Sequence, residues 1–168
     1  RWLHDSFGTN WRMTEMQAVI GRIQLARMTD WSAARQANGA RITAALLPFA
    51  GDGGPLRVPQ LSTESRHAFY KYYAYVRPEA LAAGWSRDRI VAEISARGVP
   101  CMQGSCSEVY LEKAFDGTGW RPETSLSIAR DLGATSMMLL VHPTLTEAEM
   151  DKTVAVLGEV LSACTVAG

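Results

Sequence analysis

Lysine and cysteine are both scarce in this chain of 168 residues, which has three of each beside fourteen arginines. Only Lys71, Lys113 and Lys152 could form an imine with a carbonyl compound. An odd number of cysteines without paired spacing argues against a secreted disulfide framework. We therefore expect reduced thiols and a cytoplasmic protein.

An excess of charge and long apolar runs are also missing. The net charge is zero and the pI is about 7.0, so we expect neither nucleic acid nor an anionic membrane as a partner. No stretch reaches the roughly 18 apolar residues of a transmembrane helix. The first residues, Arg1 to Asp5, lack a signal pattern and an initiator methionine. We therefore expect the chain to begin inside a longer protein.

Motifs for metals and phosphates are not found. The sequence has no P-loop, no dinucleotide fingerprint and no His-Glu-x-x-His pattern. Cys101 and Cys106 have four residues between them and no second pair, so no metal site is predicted. What is present, 47% apolar and 20% charged residues, is typical of one globular domain or of one domain plus part of a neighbour.

The first third of the chain favours a long helix. Thr14 is a candidate N-cap, and apolar residues then recur at three- and four-residue spacing. We predict one helical tract over residues 14–47, with a possible kink near Asn38 and Gly39. The segment 48–66 is rich in proline and glycine and is the expected linker. The predicted division is therefore residues 1–47, a linker over 48–66, and a small domain over 67–168.

The remaining sequence predicts the order β-α-β-loop-α-β-α. Ser86 and the capping box of Thr146 and Glu149 mark two helix starts. Gly98 and Gly133 are read as residues that end helices. The predicted strands cover 68–77, 99–102 and 136–141, and the predicted helices cover 86–97, 123–132 and 147–162. This order indicates an α/β (α+β) fold with a mixed or antiparallel sheet and helices on one face.

A candidate binding segment precedes the long helix. Asn10 offers an amide donor and Arg12 a guanidinium, just before the free amides of a helix N-terminus. Such donors together suit an anion such as phosphate, although a solvated cap with an exposed arginine is the alternative.

The same segment carries a family resemblance. Residues 4–21 read HDSFGTNWRMTEMQAVIG and resemble the pattern G-x-N-x-R-M-(T/S)-x-(M/I)-Q-A-A-I-G of the DegT/StrS sugar aminotransferases. The resemblance continues at residues 67–73, 98–101 and 138–145, which are similar to the strands of that family's small domain.

The resemblance implies a fold, a cofactor and a partner. The chain would be the C-terminal small domain of a fold-type-I transferase that depends on pyridoxal 5'-phosphate (PLP), preceded by a helical tract from the large domain. Asn10 would reach the PLP phosphate of the neighbouring subunit in a homodimer, and Arg12 would order that loop or meet substrate charge. His67, Ser105 and Tyr110 would be candidate substrate contacts.

Four positions have an alternative reading or depart from the family pattern. His67 could instead cap the strand at the domain junction, and His142 is read as structural. Ser105 stands where many members carry a histidine, which leaves the identity of the sugar open. Val141 replaces a usual proline, a mild change of the backbone.

The catalytic lysine of the family would lie upstream of Arg1, and none of the three lysines here matches it. We therefore expect this chain to be inactive alone. The intact protein would transfer an amino group from a donor such as glutamate to a nucleotide-linked keto sugar. The alternatives are a PLP-dependent sugar dehydratase, with histidine in place of the lysine, and a non-catalytic dimerisation or interaction module.

Overall fold

The computed structural model describes residues 8–9 and 11–166, and the predicted cofactor residue Asn10 lies outside them. Four helices and one four-stranded sheet make up the regular structure of this part. The helices are α1 (Glu15–Leu46), α2 (Arg87–Ala96), α3 (Ser127–Thr135) and α4 (Glu147–Cys164), and the strands are β1 (Leu56–Arg57), β2 (Tyr72–Val76), β3 (Cys101–Gln103) and β4 (Ser136–Leu139).

Helix α1 is the predicted long helix, and it is uninterrupted. The Thr14 hydroxyl accepts a hydrogen bond from the Gln17 amide, and the Gln17 side chain accepts one from the Thr14 amide, so a capping box opens the helix. Asn38 and Gly39 do not end it, because both are buried in a tertiary contact. The Asn38 side chain donates to the carbonyl of His142 at 3.2 Å.

All neighbouring strands of the sheet are antiparallel, in the order β1-β2-β4-β3. The central strand β4 lies between β2 and β3, with Ala74 opposite Met137 and Cys101 opposite Leu139. Strands β2 and β3 therefore run in the same direction, joined by α2, with an antiparallel strand inserted between them. The antiparallel alternative of the sequence prediction is confirmed.

The core lies on one face of the sheet, under three helices. The alternating residues of β2, Tyr72, Ala74 and Val76, point into it. The helices contribute buried residues at helical spacing: Ile42 and Leu46 from α1, Ile90 and Ile94 from α2, and Met150, Leu157, Val160 and Leu161 from α4. This is the predicted layer of helices. Its last member, α4, begins after the predicted N-cap Thr146.

Helix α3 lies against the opposite face. Tyr73 and Tyr75 point away from the core, and they line a small hollow together with Leu132 of α3. The predicted helix 123–132 was wrong at both ends, since α3 begins at Ser127 and continues through Gly133. Packing requires glycine at position 133, because a Cβ there would lie 2.1 Å from the Ser107 hydroxyl.

The predicted linker contains a strand that the sequence analysis missed. Strand β1 pairs with β2, with Leu56 opposite Val76. The Arg77 guanidinium donates to the carbonyls of Gly51, Gly54 and Leu56 at 3.1, 2.9 and 2.7 Å. These bonds tie the residues before β1 to the end of β2. The division at residues 48–66 stays a prediction.

The predicted strand 68–77 was too long at its start. Phe69 has a left-handed backbone with φ of +46°, which a pleated strand cannot contain. Two hydrogen bonds hold this turn, since the Arg35 guanidinium donates to the carbonyls of Phe69 and Tyr70 at 3.1 and 3.3 Å.

No helix in the described part of the chain is long and apolar enough to cross a membrane.

Candidate functional site

An open cleft lies between α3 and the loop that follows β3. Its volume is about 630 Å³, within the range of small-molecule sites. Its lining contains hydroxyl, thiol, amide and charged groups: Gln103, Ser105, Cys106, Ser107, Glu108, Glu112, Lys113 and Arg130.

Arg121 holds the outer wall of this cleft. Its guanidinium donates to the carbonyls of Tyr110, Leu111 and Glu112 at 2.7, 3.1 and 3.1 Å, and it also pairs with the carboxylate of Asp116. Three successive carbonyls bound to one planar group leave the loop little freedom. The wall is therefore fixed although it contains no long helix or strand.

Tyr110, a predicted substrate contact, is a partner in a network within the loop. Its hydroxyl donates to the Glu108 carboxylate at 2.6 Å and accepts from the Leu126 amide at 2.9 Å. Ser125 also donates to Glu108, at 2.8 Å. Hydrogen bonds from Tyr110 and Ser125 hold the pKa of Glu108 below its ordinary value. The network joins the cleft wall to the start of α3, and a substrate role of Tyr110 stays a prediction.

Ser105, the second predicted contact, does line the cleft. Its hydroxyl shares a hydrogen bond of 2.8 Å with the hydroxyl of Tyr73 in β2. The loop can approach the sheet because Gly104 has no side chain: a Cβ there would lie 2.2 Å from the Ser136 hydroxyl. Ser105 thus gives the cleft a neutral hydroxyl, and Tyr73 bonds it from the adjoining hollow.

Cys106 is the exposed cysteine of the three and also lines the cleft, whereas Cys101 and Cys164 are buried. Its thiol donates to the Glu112 carboxylate at 3.2 Å. That hydrogen bond, supported by the negative charge of Glu112, raises the pKa of the Cys106 thiol. The thiol is thus less reactive than its exposure alone suggests.

His67, the third predicted contact, lies beside α1 and does not line this cleft. Its Nδ1 accepts from the Phe69 amide at 3.0 Å, and its ring meets the Phe69 ring edge-on at 4.5 Å. Its carbonyl accepts from the Gln36 side chain. His67 therefore stabilises the turn before β2, and both the strand-capping role and the substrate role stay predictions.

Arg12 lies in the exposed segment before α1, close to the capped helix start. Asn10 lies outside the described residues, so the predicted phosphate site formed by these two residues stays a prediction. The helix that follows has the free amides that such a site would use.

None of the three lysines has the enclosed surroundings of a Schiff-base lysine, since Lys71 is half-buried and Lys113 and Lys152 are exposed. The Lys71 ammonium lies over the ring of Tyr70 at 5.4 Å. Lys113 lines the open cleft, and Lys152 lies beside Gly98 at the end of α2. These residues therefore do not fit covalent attachment of PLP.

The charged lining of the cleft was not predicted. Lys113 and Arg130 are 17 positions apart in sequence and belong to a short 3-10 helix and to α3, so no spacing rule connects them. The only signal was the density of polar side chains between residues 103 and 113, which is also typical of an ordinary loop.

Comparison with known proteins identifies a family model that covers most of the chain. Residues 1–158 match the model described as the DegT/DnrJ/EryC1/StrS aminotransferase family. A curated relative, the dTDP-3-amino-3,4,6-trideoxy-alpha-D-glucose transaminase of Streptomyces venezuelae, is 30% identical over 143 residues. The match covers 85% of this chain and 34% of the relative.

Solved structures show the same fold. An aminotransferase from Psychrobacter cryohalolentis is 57% identical with a TM-score of 0.87, over 96% of this chain and 42% of the other. A putative sugar aminotransferase from Streptococcus pneumoniae, solved in its PLP form, is 20% identical with a TM-score of 0.69, over 89% of this chain and 36% of the other. The chain thus spans about two fifths or less of the proteins that it matches.

Proposed function

The chain belongs to the DegT/DnrJ/EryC1/StrS aminotransferase family, and on that premise we propose that it is part of an enzyme that aminates a nucleotide-linked keto sugar. The observation that carries the proposal is the family match over residues 1–158 together with a curated relative that is a transaminase of a dTDP sugar. The amino donor would be an amino acid such as glutamate.

PLP would supply the chemistry of amino transfer when bound, since its ring acts as an electron sink. A solved structure of the same fold is in the PLP form. The lysines of this chain are exposed or half-buried, so the imine would form on a lysine of the intact protein outside these 168 residues. We infer that the chain alone is inactive.

A homodimer with a shared active site would complete the enzyme. The first half of α1 supports this, because its apolar side chains are exposed: Met16, Val19, Ile20, Ile23, Leu25 and Met28. A helix apolar on much of its surface is normally covered by other protein. In the intact enzyme, further chain and a second subunit would cover it.

The same exposed helix also favours a second candidate, a non-catalytic interaction module. Gel filtration of the 168-residue chain separates the two. Aggregation of the 168-residue chain that gives way to a discrete dimer when the chain is extended supports the enzyme fragment. A monomer that is indifferent to PLP would favour the self-contained module.

The decisive experiment uses the intact protein. We would sequence the source DNA upstream of Arg1, express the extended reading frame with PLP, and assay amino transfer from glutamate to keto sugar nucleotides by mass spectrometry. Transfer that is lost when the upstream lysine is replaced by alanine is the expected result. A histidine at that position with dehydration of the sugar would establish the dehydratase instead. An extended protein that neither binds PLP nor transfers an amino group would contradict both.

A further inference from the structure

Two cations of the cleft lack close partners in the described part of the chain. The Lys113 ammonium makes no hydrogen bond or ion pair with any described residue. Arg130 has one ion-pair neighbour there, Asp131, at 3.8 Å, which is too long for a hydrogen bond, and its charge also acts on the Glu108 carboxylate. The two side chains thus keep their donors for a ligand.

The two carboxylates of the cleft are occupied from within the loop. Glu108 accepts from the hydroxyls of Tyr110 and Ser125, and Glu112 accepts from the Cys106 thiol. They balance the charge of the cleft, so the cleft has no strong field to attract a distant anion. Direct contact with the free donors would decide what binds.

We propose that this cleft binds the diphosphate of the nucleotide sugar, with Lys113 and Arg130 as the two cations. A diphosphate has several acceptor oxygens on adjacent phosphorus atoms and suits an ammonium and a guanidinium at the sides of one cleft. The Ser105 hydroxyl, which is hydrogen-bonded to Tyr73, supplies a neutral contact. The volume of about 630 Å³ accommodates a ligand of this size. The proposal deepens and rests on the proposed function.

Hydrogen bonds within the wall of the cleft hold Lys113 and Arg130 in fixed relative positions. Arg121 donates to the carbonyls of Tyr110, Leu111 and Glu112, directly before Lys113. The Tyr110 hydroxyl accepts from the amide of Leu126, directly before α3. The loop that carries Lys113 and the helix that carries Arg130 are therefore held at one separation. A preformed pair loses less conformational freedom when an anion binds.

Cys106 provides a probe inside the cleft. It is the exposed cysteine, so iodoacetamide should label it selectively, and a bound ligand should slow the labelling. We would measure labelling of the 168-residue chain against increasing UDP, dTDP and inorganic pyrophosphate, with uridine and glucose as neutral controls. The expected result is protection by all three diphosphate compounds, in the millimolar range, and none by the neutral ones.

Variants of Lys113 and Arg130 test whether these two cations cause the protection of Cys106. Lys113→Gln and Arg130→Gln should each weaken protection by roughly threefold to tenfold, the loss of one charged hydrogen bond. Lys152→Gln, an exposed lysine at a different surface, is the matched control and should bind as the parent does. Absence of protection by any diphosphate, or undiminished protection in the double variant, would overturn the proposal.

Failure of this site and failure of the proposed function are distinguishable in the intact protein. Amino transfer to a nucleotide sugar with an unchanged KM in the Lys113→Gln, Arg130→Gln double variant would refute the diphosphate site alone. Protection of Cys106 by UDP or dTDP in an intact protein that transfers no amino group would refute the enzymatic function alone.

Discussion

The ring of Phe69 lies directly on Gly39 of α1. A Cβ at position 39 would come within 2.9 Å of three ring carbons, closer than packed atoms tolerate. The ring cannot easily withdraw, because it is buried, faces the His67 ring on one side and stacks on Tyr72 at 5.9 Å. This contact joins the long helix to the turn that begins β2.

Replacing Gly39 by alanine should destabilise the protein although it improves helix propensity. Overpacking of a filled contact costs roughly 1–3 kcal/mol, and alanine returns up to about 1 kcal/mol in a helix. We expect a net loss of about 1 kcal/mol in the free energy of unfolding, measured by urea denaturation. Gly21→Ala is the control, since nothing lies within 4 Å of that position, and it should stabilise the same helix. Equal stabilisation by both substitutions would contradict the contact.

His67 should be replaceable by asparagine but not by glutamine. Asparagine places an oxygen where Nδ1 accepts the Phe69 amide, as in an Asx turn, whereas glutamine does not. Both lose the ring contact with Phe69, so their difference isolates the hydrogen bond. We expect His67→Gln to be less stable than His67→Asn by about 1 kcal/mol in thermal unfolding. The opposite order would show that the ring face, and not Nδ1, is what the turn needs.

Glu112→Gln should make Cys106 more reactive. The hydrogen bond and charge of Glu112 raise the pKa of the thiol, so less thiolate is present at a given pH. Without that charge the midpoint of the pH–rate profile for alkylation should move to lower pH, and the rate at neutral pH should rise severalfold. Glu159→Gln, on the exposed side of α4, should change neither. A midpoint that stays in place in Glu112→Gln would mean that the thiol does not bond the carboxylate in solution.

Borohydride reduction in the presence of PLP should label no lysine stoichiometrically in the 168-residue chain. All three lysines are exposed or half-buried, and none is enclosed in a pocket that would hold PLP against its amine. Peptide mass spectrometry after reduction is expected to find partial, unspecific labelling. One fully labelled lysine, whether Lys71, Lys113 or Lys152, would disprove the inference that the catalytic lysine lies elsewhere.

Local signals were read correctly from the sequence. Thr14, Ser86 and Thr146 each accept a hydrogen bond from the first turn of the helix that they were predicted to cap. Gly98 has the left-handed φ of +77° expected of a residue that ends a helix. Such features depend on a few neighbouring residues, so a single sequence contains them.

Features that depend on distant contacts were misread. Gly133 was taken as a helix end, but it lies inside α3, where the Ser107 hydroxyl leaves no room for a side chain. No strand was predicted at Leu56, but it pairs with β2, and its carbonyl accepts a hydrogen bond from Arg77. The candidate site shows the same division: Ser105 was named by resemblance, while its contact with Tyr73 required the folded sheet.

The sequence by itself determined the family, the α/β class and the scarcity of lysine. Motifs and periodicity depend on residues that are close in sequence, and composition depends only on residue counts. Only the tertiary structure decided that Lys113 and Arg130 line one cleft, that Tyr110 supports its wall and that His67 belongs to another surface. The physical reason is that hydrogen bonds such as those of Arg121 act between residues that the fold, and not the chain, makes neighbours.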